Sequence, residues 1–232
     1  MELQKRRKMK LDLSKINFVG LDDNEYLRVQ TDKKQIYLHH TAGRSSGVRC
    51  IRHWNDDKRG RVATCVVISG KDAKMSKDGE ICQAFSSKYW AYHLGVRSEI
   101  FKSQNVPYKL LDKNSIGIEI CNWGYLSEKN GKYYNYVNGE VPEDEVTILE
   151  KAYKGKLYWH RYTDAQIESV RQLLVFWNER YAISITYNEC DMWEVSKRAL
   201  RGENGLFSHN SVRPDKLDIY PCPRMINMLK QL

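Results

Sequence analysis

The sequence predicts an α/β fold, a single domain in which a mixed central β-sheet is flanked by helices. Residues 63–69 and 115–120 are short, almost wholly apolar runs, which are typical of central strands covered on both faces. Thr163-Asp-Ala-Gln166 is a capping box, and the apolar residues that follow it at helical spacing predict a long amphipathic helix. Asp78-Gly79 marks a tight turn between two strand-like runs. Strands interleaved with helices, with one hairpin among them, indicate a mixed sheet.

The first part of the chain predicts an extension, a strand and a helix. Residues 1–34 form an N-terminal extension with an edge strand at 26–30, and residues 35–232 form the domain itself. The apolar run at 36–40 predicts the first strand of that domain. Within 47–54, apolar residues recur three apart, as they do in a helix that buries one face.

The middle and the end of the chain alternate between strands, an insertion and helices. The tight turn leads to a returning strand at 81–85, and 115–120 forms a further buried strand. Residues 123–161 are rich in Tyr, Glu and Lys and weakly periodic, which indicates a surface insertion with its own hairpin at 137–141. After the long helix, a short last helix is expected to begin after Pro223.

Length and composition are those of one folded domain, which we expect to be a monomer. The chain has 232 residues, 41% of them hydrophobic, and no apolar run approaches the roughly 20 residues of a membrane span. The formal net charge of +9 fits nucleic acid, an anionic membrane or an anionic polymer such as a bacterial cell wall. The sequence contains no helix-turn-helix pattern, zinc-finger spacing or aromatic RNA-binding motif, so nucleic acid binding would rest on charge alone. We therefore expect no nucleic acid partner.

The cysteines and the N-terminus indicate a protein made in a reducing compartment. The six cysteines include no Cys-x-x-Cys pair. Cys65 and Cys121 lie in apolar strand-like runs and are expected to be buried, reduced thiols. The basic first ten residues lack the apolar stretch and the cleavage site of a secretory signal. We therefore expect cytoplasmic synthesis.

Three residues from distant parts of the chain have the chemistry of a catalytic zinc site. His39 ends an apolar strand, and His209 precedes an irregular loop with a proline, which is typical ground for functional residues. Lys216 and Asp218 lie two apart in that loop, so an extended backbone points both side chains the same way. Catalytic zinc uses three protein ligands and an open position. Ligands gathered from both ends of a domain predict an enzyme's metal site rather than a zinc finger.

Glu119 is the one carboxylate in the apolar strand at 115–120. Burying it without compensation is costly, so it either pairs with a cation or faces a functional cleft. His40 points to the face of its strand opposite to His39, and we expect it to pack or to support the site.

Five short motifs occur in this chain in the order found in a known enzyme family. They are His39-His-Thr-Ala-Gly43, Tyr92-His-Leu-Gly95, Asn114-Ser-Ile-Gly-Ile-Glu119, Tyr162-Thr-Asp-Ala-Gln-Ile167, and His209 with the Lys216-Leu-Asp218 that follows it. With them the chain resembles the zinc-dependent N-acetylmuramoyl-L-alanine amidases, a family of phage lysins, cytoplasmic anhydro-muropeptide amidases and peptidoglycan-recognition proteins. The resemblance covers most of the chain, from about residue 35 to 223, and rests on the order of the motifs rather than on any single one.

The resemblance implies that His39, His209 and Asp218 bind Zn2+. In the family the third ligand is either an aspartate or a cysteine of the same loop, and Cys222 is therefore the alternative. The Lys216-Leu-Asp218 arrangement fits the aspartate-using branch. Cys222 lies thirteen residues after His209, a longer gap than the cysteine-using branch usually has. Asp218 is accordingly the preferred ligand.

The resemblance also implies roles in hydrolysis. Glu119 matches a catalytic glutamate of the aspartate-using members and would act as general base toward the attacking water. A structural salt bridge is its alternative role. Other branches use a tyrosine next to the second strand, and residues 62–65 contain none. Lys216 would stabilise the oxyanion of the tetrahedral intermediate, and His93 is expected to contact substrate rather than metal.

The implied activity is hydrolysis of the amide between N-acetylmuramic acid and L-alanine, in bacterial peptidoglycan or in soluble muropeptides. The lack of a secretory signal and the basic charge fit a phage endolysin that acts on the cell wall. A muropeptide-recycling enzyme fits equally well on location alone. A non-catalytic peptidoglycan-binding protein is the alternative from another class, and retention of all three candidate ligands argues against it. The roles of residues 1–34 and 123–161 stay open.

Overall fold

A six-stranded mixed β-sheet forms the centre of the computed structural model, which describes residues 11–43, 46–71 and 74–232. The strands lie in the order β1-β4-β3-β5-β2-β11. They are β1 (Asn17–Phe18), β2 (Gln35–His40), β3 (Val66–Ile68), β4 (Ile81–Gln83), β5 (Ser115–Ile120) and β11 (Gly205–Ser208). Strands β3, β5, β2 and β11 are mutually parallel, whereas β4 runs antiparallel to β3 as the returning arm of the predicted hairpin. The predicted α/β fold is confirmed.

Helices cover both faces of this sheet, and β2 separates two cores. The helices are α1 (Gly47–Asn55), α2 (Ser98–Ser103), α3 (Asp164–Tyr181), α4 (Glu189–Trp193), α5 (Lys197–Leu200) and α6 (Pro223–Leu229). Ile36 and Leu38 point into the larger core, which also takes apolar side chains of α1 and α3. Tyr37 points the other way, into a smaller core with Phe207 and apolar residues of α2 and α5. Sequence patterning predicted α1, α3 and α6 but not the three shorter helices.

The long helix α3 begins at the predicted capping box. Thr163 Oγ1 accepts the backbone N–H of Gln166 at 3.0 Å, and Gln166 Oε1 accepts the backbone N–H of Thr163 at 3.1 Å. Gln166 also donates from Nε2 to the carbonyl of Cys121 at 2.7 Å, which ties the start of α3 to the residue after β5. The buried stripe is the predicted one: Ile167, Val170, Leu173, Leu174 and Trp177.

The predicted edge strand at 26–30 is wrong, because this segment makes only an isolated bridge between Leu27 and Trp90. The described part of the N-terminal extension supplies its edge strand earlier, where β1 pairs with β4. The 26–30 segment is held by side-chain contacts rather than by the backbone hydrogen bonds of a β-ladder. The Tyr26 ring stacks on Phe85 with centroids 5.0 Å apart, and Arg28 donates to the Tyr26 hydroxyl at 3.0 Å.

The first half of the 123–161 segment forms a small three-stranded sheet outside the central one. Its strands are β6 (Ser127–Lys129), β7 (Lys132–Tyr134) and β8 (Glu140–Val141), paired in that order. The hairpin predicted at 137–141 is confirmed, since β7 and β8 are antiparallel arms on either side of Asn138-Gly139. Asn138 has a left-handed φ of 60°, as a tight hairpin turn requires.

The second half of the segment corrects the prediction of a surface insertion. Strands β9 (Val146–Tyr153) and β10 (Lys156–His160) form a second hairpin, which the sequence reading missed. Trp159 in β10 is fully buried in the larger core, where its ring stacks on Tyr220 with centroids 4.7 Å apart. The register of the two strands shifts between Lys156 and Tyr158.

Cysteine chemistry and membrane topology can both be assessed in the described residues. All six cysteines are free, and Cys65 and Cys121 are buried as predicted. No helix in the described ranges combines the length and the apolar character needed to cross a bilayer.

Replacing Trp159 with Ala should lower the free energy of unfolding by about 3–5 kcal/mol, since a fully buried indole leaves a cavity. Ile148→Ala is the matched control, because Ile148 lies on the same hairpin but is 57% exposed. Its effect should stay within about 0.5 kcal/mol. Urea denaturation of both variants measures the difference, and equal small effects would show that β9–β10 is peripheral after all.

Candidate metal centre and catalytic cleft

His39 and His209 are brought together by two adjacent parallel strands. His39 is the fifth residue of β2, and β2 pairs with β11. His209 follows the last residue of β11 and opens a 3-10 turn, His209–Ser211, in which Ser211 Oγ accepts the Ser208 backbone N–H at 2.9 Å. The Nδ1 atoms of the two imidazoles lie 3.1 Å apart.

Asp218 completes a triangle of ligand atoms. Its Oδ2 lies 3.2 Å from His39 Nδ1 and 2.9 Å from His209 Nδ1. Zinc ligands at about 2.0–2.1 Å in a tetrahedral arrangement are separated by about 3.3 Å, so the three atoms approximate one face of a zinc tetrahedron. Across residues 11–43, 46–71 and 74–232, this is the only group of three or more His, Cys, Asp or Glu side chains with such geometry. Cys222 is buried at the start of α6 and is not part of it.

Electrostatics keep these side chains in the forms that bind metal. Burial, followed by the neighbouring His209, lowers the pKa of His39 to about 4, so its imidazole is neutral at neutral pH. Burial alone would raise the pKa of Asp218, but the adjacent His209 and His39 imidazoles, which favour the ionised carboxylate whenever they are protonated, hold that pKa far below its usual value. A neutral imidazole and an ionised carboxylate are the ligand-competent states.

Residues 93 and 94 orient both imidazoles, because they contact the Nε2 atom of each ring. His209 Nε2 donates to the Leu94 carbonyl at 2.8 Å, so in the neutral ring the Nδ1 lone pair is available to bind a metal ion. His39 Nε2 lies 3.0 Å from His93 Nδ1. The segment itself is fixed by buried Asp112, whose Oδ1 accepts the backbone N–H groups of His93 at 2.7 Å and Leu94 at 2.9 Å. Sequence reasoning missed Asp112, because its role exists only once residues 93–94 have folded beside His209.

His93 fits under β5 because residue 117 is a glycine. A Cβ at Gly117 would lie 2.6 Å from Thr64 Cγ2 and 3.0 Å from His93 Nδ1. The Nε2 atom of His93 lies 2.8 Å from Ser115 Oγ. His93 therefore supports His39 while it borders the cleft, and substrate contact by His93 stays a prediction. His40 lies on the other face, as expected, with its Nδ1 2.9 Å from the Tyr162 hydroxyl.

Glu119 lies beside His39 in the parallel register of β5 and β2. Within the described parts of the chain its carboxylate makes neither a hydrogen bond nor an ion pair, which argues against the salt-bridge role. Burial, together with the charge of Asp218, raises the pKa of Glu119 well above its usual value. A raised pKa on a carboxylate at a cleft is typical of groups that exchange protons during catalysis.

A cavity of about 590 Å³ opens over these residues. The candidate ligands, Glu119, His93 and Lys216 all line it, so the predicted site residues meet in one place. Trp123, Tyr125 and Tyr136 contribute an aromatic wall from the 123–161 segment. Large clefts with aromatic walls and a few convergent polar groups are typical of binding sites for small molecules and polymer segments.

The family assignment agrees with this geometry. A family model described as N-acetylmuramoyl-L-alanine amidase matches residues 30–221, which is most of the chain. The chain belongs to this amidase family. The match includes all the predicted site residues and the aromatic wall of the cleft, and it places peptidoglycan among the substrates expected of an amidase of this kind.

Solved structures are similar to this chain at low sequence identity. A selenomethionine derivative of AmpD is 16% identical to this amidase, with a TM-score of 0.50 over 95% of this chain and 99% of that one. PlyL is 17% identical, with a TM-score of 0.45 over 91% and 89%. The N-acetylmuramoyl-L-alanine amidase LysC from Clostridium intestinale URNW is 12% identical, with a TM-score of 0.47 over 91% and 94%. No curated protein matches the sequence.

Removing the Asp218 carboxylate should abolish stoichiometric zinc binding, because two imidazoles alone leave the tetrahedral site incomplete. Cys222→Ala should keep about one zinc per chain, since Cys222 packs in the core away from the triangle. Elemental analysis of purified Asp218→Ala and Cys222→Ala proteins checks both. Zinc lost from the Cys222 variant and retained by the Asp218 variant would reverse the ligand assignment.

Proposed function

We propose that this chain is a zinc-dependent N-acetylmuramoyl-L-alanine amidase that hydrolyses the amide between the lactyl group of N-acetylmuramic acid and L-alanine. The observation that carries the proposal is the triangle of His39, His209 and Asp218 beside the unpaired Glu119. A chain that only bound peptidoglycan would have no need of a half-buried, unpaired carboxylate beside this triangle, since partial burial without a partner is costly.

The metal ligands, Glu119 and Lys216 have distinct roles in this hydrolysis. His39, His209 and Asp218 would hold zinc, which supplies a Lewis acid and lowers the pKa of a bound water. Glu119 accepts a proton from the attacking water and delivers it to the departing amine, and its raised pKa suits a group that must both take up and release a proton. Lys216 borders the same cavity, where its ammonium stabilises the negative charge that develops on the scissile carbonyl oxygen.

The cleft and the charge of the chain suit a wall polymer. A cavity of about 590 Å³ accommodates a sugar with the start of its peptide stem, and its aromatic wall offers apolar surface to the sugar ring. The net charge of +9 attracts an anionic polymer. We propose the bacterial cell wall as the site of action, as for a phage endolysin, with soluble muropeptides as the alternative substrate.

Mass spectrometry of reaction products tests the proposal. Purified cell wall and soluble muropeptides are each incubated with the zinc-loaded protein. We expect stem peptides with a free L-alanine amino terminus and glycan strands that are otherwise intact. Faster turnover of the wall supports the endolysin setting, and faster turnover of muropeptides supports recycling. Cleavage of glycosidic bonds or of bonds within the peptide would contradict the proposed reaction.

Glu119→Gln should retain zinc and the fold while turnover falls by about 10²–10⁴, the usual cost of losing a general base. Glutamine keeps the size of the side chain but cannot take up the proton. Glu150→Gln is the control, since Glu150 is an exposed carboxylate on β9. Turnover and melting temperature are measured on the same preparations. Near-normal turnover with a lowered melting temperature would make Glu119 a structural residue.

A further inference from the structure

The tip of the β9–β10 hairpin lies against the loop that follows His209, which we call the ligand loop and define as residues 210–218. Lys154 and Gly155 form the tip, both with left-handed backbone, at φ 48° and 76°. The Lys154 ammonium contacts three oxygens of the ligand loop: Asn210 Oδ1 at 2.5 Å, the Pro214 carbonyl at 3.0 Å and the Lys216 carbonyl at 2.5 Å. An ammonium has three N–H donors, so all of them are used within one loop.

These contacts reach the backbone of both functional residues of the ligand loop, Lys216 and Asp218. The Lys216 carbonyl belongs to the residue whose ammonium borders the cleft. Asn210 is buried and links Lys154 to the end of the loop, since its Nδ2 donates to the carbonyls of Asp218 at 3.0 Å and Ile219 at 2.8 Å. Lys154 therefore connects the start and the middle of the loop and, through Asn210, the backbone of Asp218.

Aromatic residues of the hairpin fix the position of the Lys154 side chain. Tyr153 donates from its hydroxyl to the Trp193 carbonyl at 3.2 Å, and its ring lies 5.6 Å below Lys154 Nζ. The fully buried Trp159 anchors the opposite strand in the larger core. A site is held accurately when the groups that orient it are themselves fixed by packing.

We propose that Lys154 is a positioning residue that fixes the ligand loop, so that Lys216 and Asp218 stay aligned with the two imidazoles. The inference rests on the proposed function, because it takes Lys216 and Asp218 to act in hydrolysis. Lys154 itself contacts backbone carbonyls and an amide, not reacting atoms. The 123–161 segment thereby gains a role in catalysis through the loop that it holds.

Lys154→Met tests the proposal, because methionine keeps an apolar stem over Tyr153 and removes the three donors. Lys151→Met is the matched control, from an exposed lysine on the same strand. In the zinc-loaded protein we expect kcat and zinc affinity to fall by about tenfold to a hundredfold, as for other residues that orient ligands, with KM nearly unchanged. Lys154→Arg, which keeps the charge and the donors, should recover most of the loss.

Hydrogen exchange in the metal-free protein gives a readout that does not depend on activity. Amides of the ligand loop should exchange faster in Lys154→Met than in Lys151→Met, while those of β2 and β5 stay protected. If Lys154→Met does not fold, Lys154→Gln, a shorter polar side chain, replaces it under the same criteria.

Two negative results have different meanings. If wild-type protein and Lys151→Met hydrolyse the substrate and Lys154→Met matches them in kcat, zinc affinity and loop exchange, the positioning role is wrong and the proposed function stands. A lowered melting temperature alone, without those changes, also rejects positioning. If wild-type protein releases no stem peptide from wall or muropeptides, the proposed function fails, and loop exchange still reports whether Lys154 holds the loop.

Discussion

The parallel register of β2 against β5 and β11 is the constraint on which the candidate site depends. It sets His39 directly beside Glu119 and lets His209 leave β11 next to His39. Because side chains alternate along a strand, a slip of one residue would send His39 to the opposite face, away from His209 and Asp218. The apolar residues of β2 prevent this slip, since only one register buries them in the larger core. The packing of these apolar side chains thus fixes the positions of the polar side chains of the candidate site.

A stack of three aromatic rings connects the larger core to the end of the ligand loop. Tyr220 lies between Trp159 and Tyr162, with centroids 4.7 Å and 5.0 Å apart and nearly parallel planes. The Tyr220 hydroxyl donates to the His160 carbonyl at 3.0 Å, so the buried phenol is also satisfied as a donor. Stacking on these rings therefore fixes the chain just after Asp218, while the hydrogen bonds of Lys154 fix the ligand loop.

Local sequence signals were enough for the main strands and for α3, because capping and apolar periodicity are encoded within a few residues. The same signals failed wherever a partner is remote. Burial of Trp159 depends on Tyr220, and the function of Asp112 depends on the fold of residues 93–94. The choice of Asp218 over Cys222 came from a family resemblance, and it stays a prediction; the structure places the Asp218 carboxylate beside the two imidazoles through a loop path that spacing alone does not determine. Lys154 carried no sequence signal at all, since a lysine before a turn glycine looks like any solvated loop residue.

The separation of the candidate ligands along the chain couples folding to ion concentration. His39 and Asp218 are 179 residues apart, so the unfolded chain has no ready-made site. Any ion that these side chains hold binds the folded state alone and stabilises it by mass action, by about 2.7 kcal/mol when the free ion is at 100 times its Kd. That amount is a large share of the stability of an ordinary domain. The lifetime of the folded chain would then depend on the free-metal level of its surroundings, and a compartment poor in that metal would limit how long the protein persists as well as how fast it works.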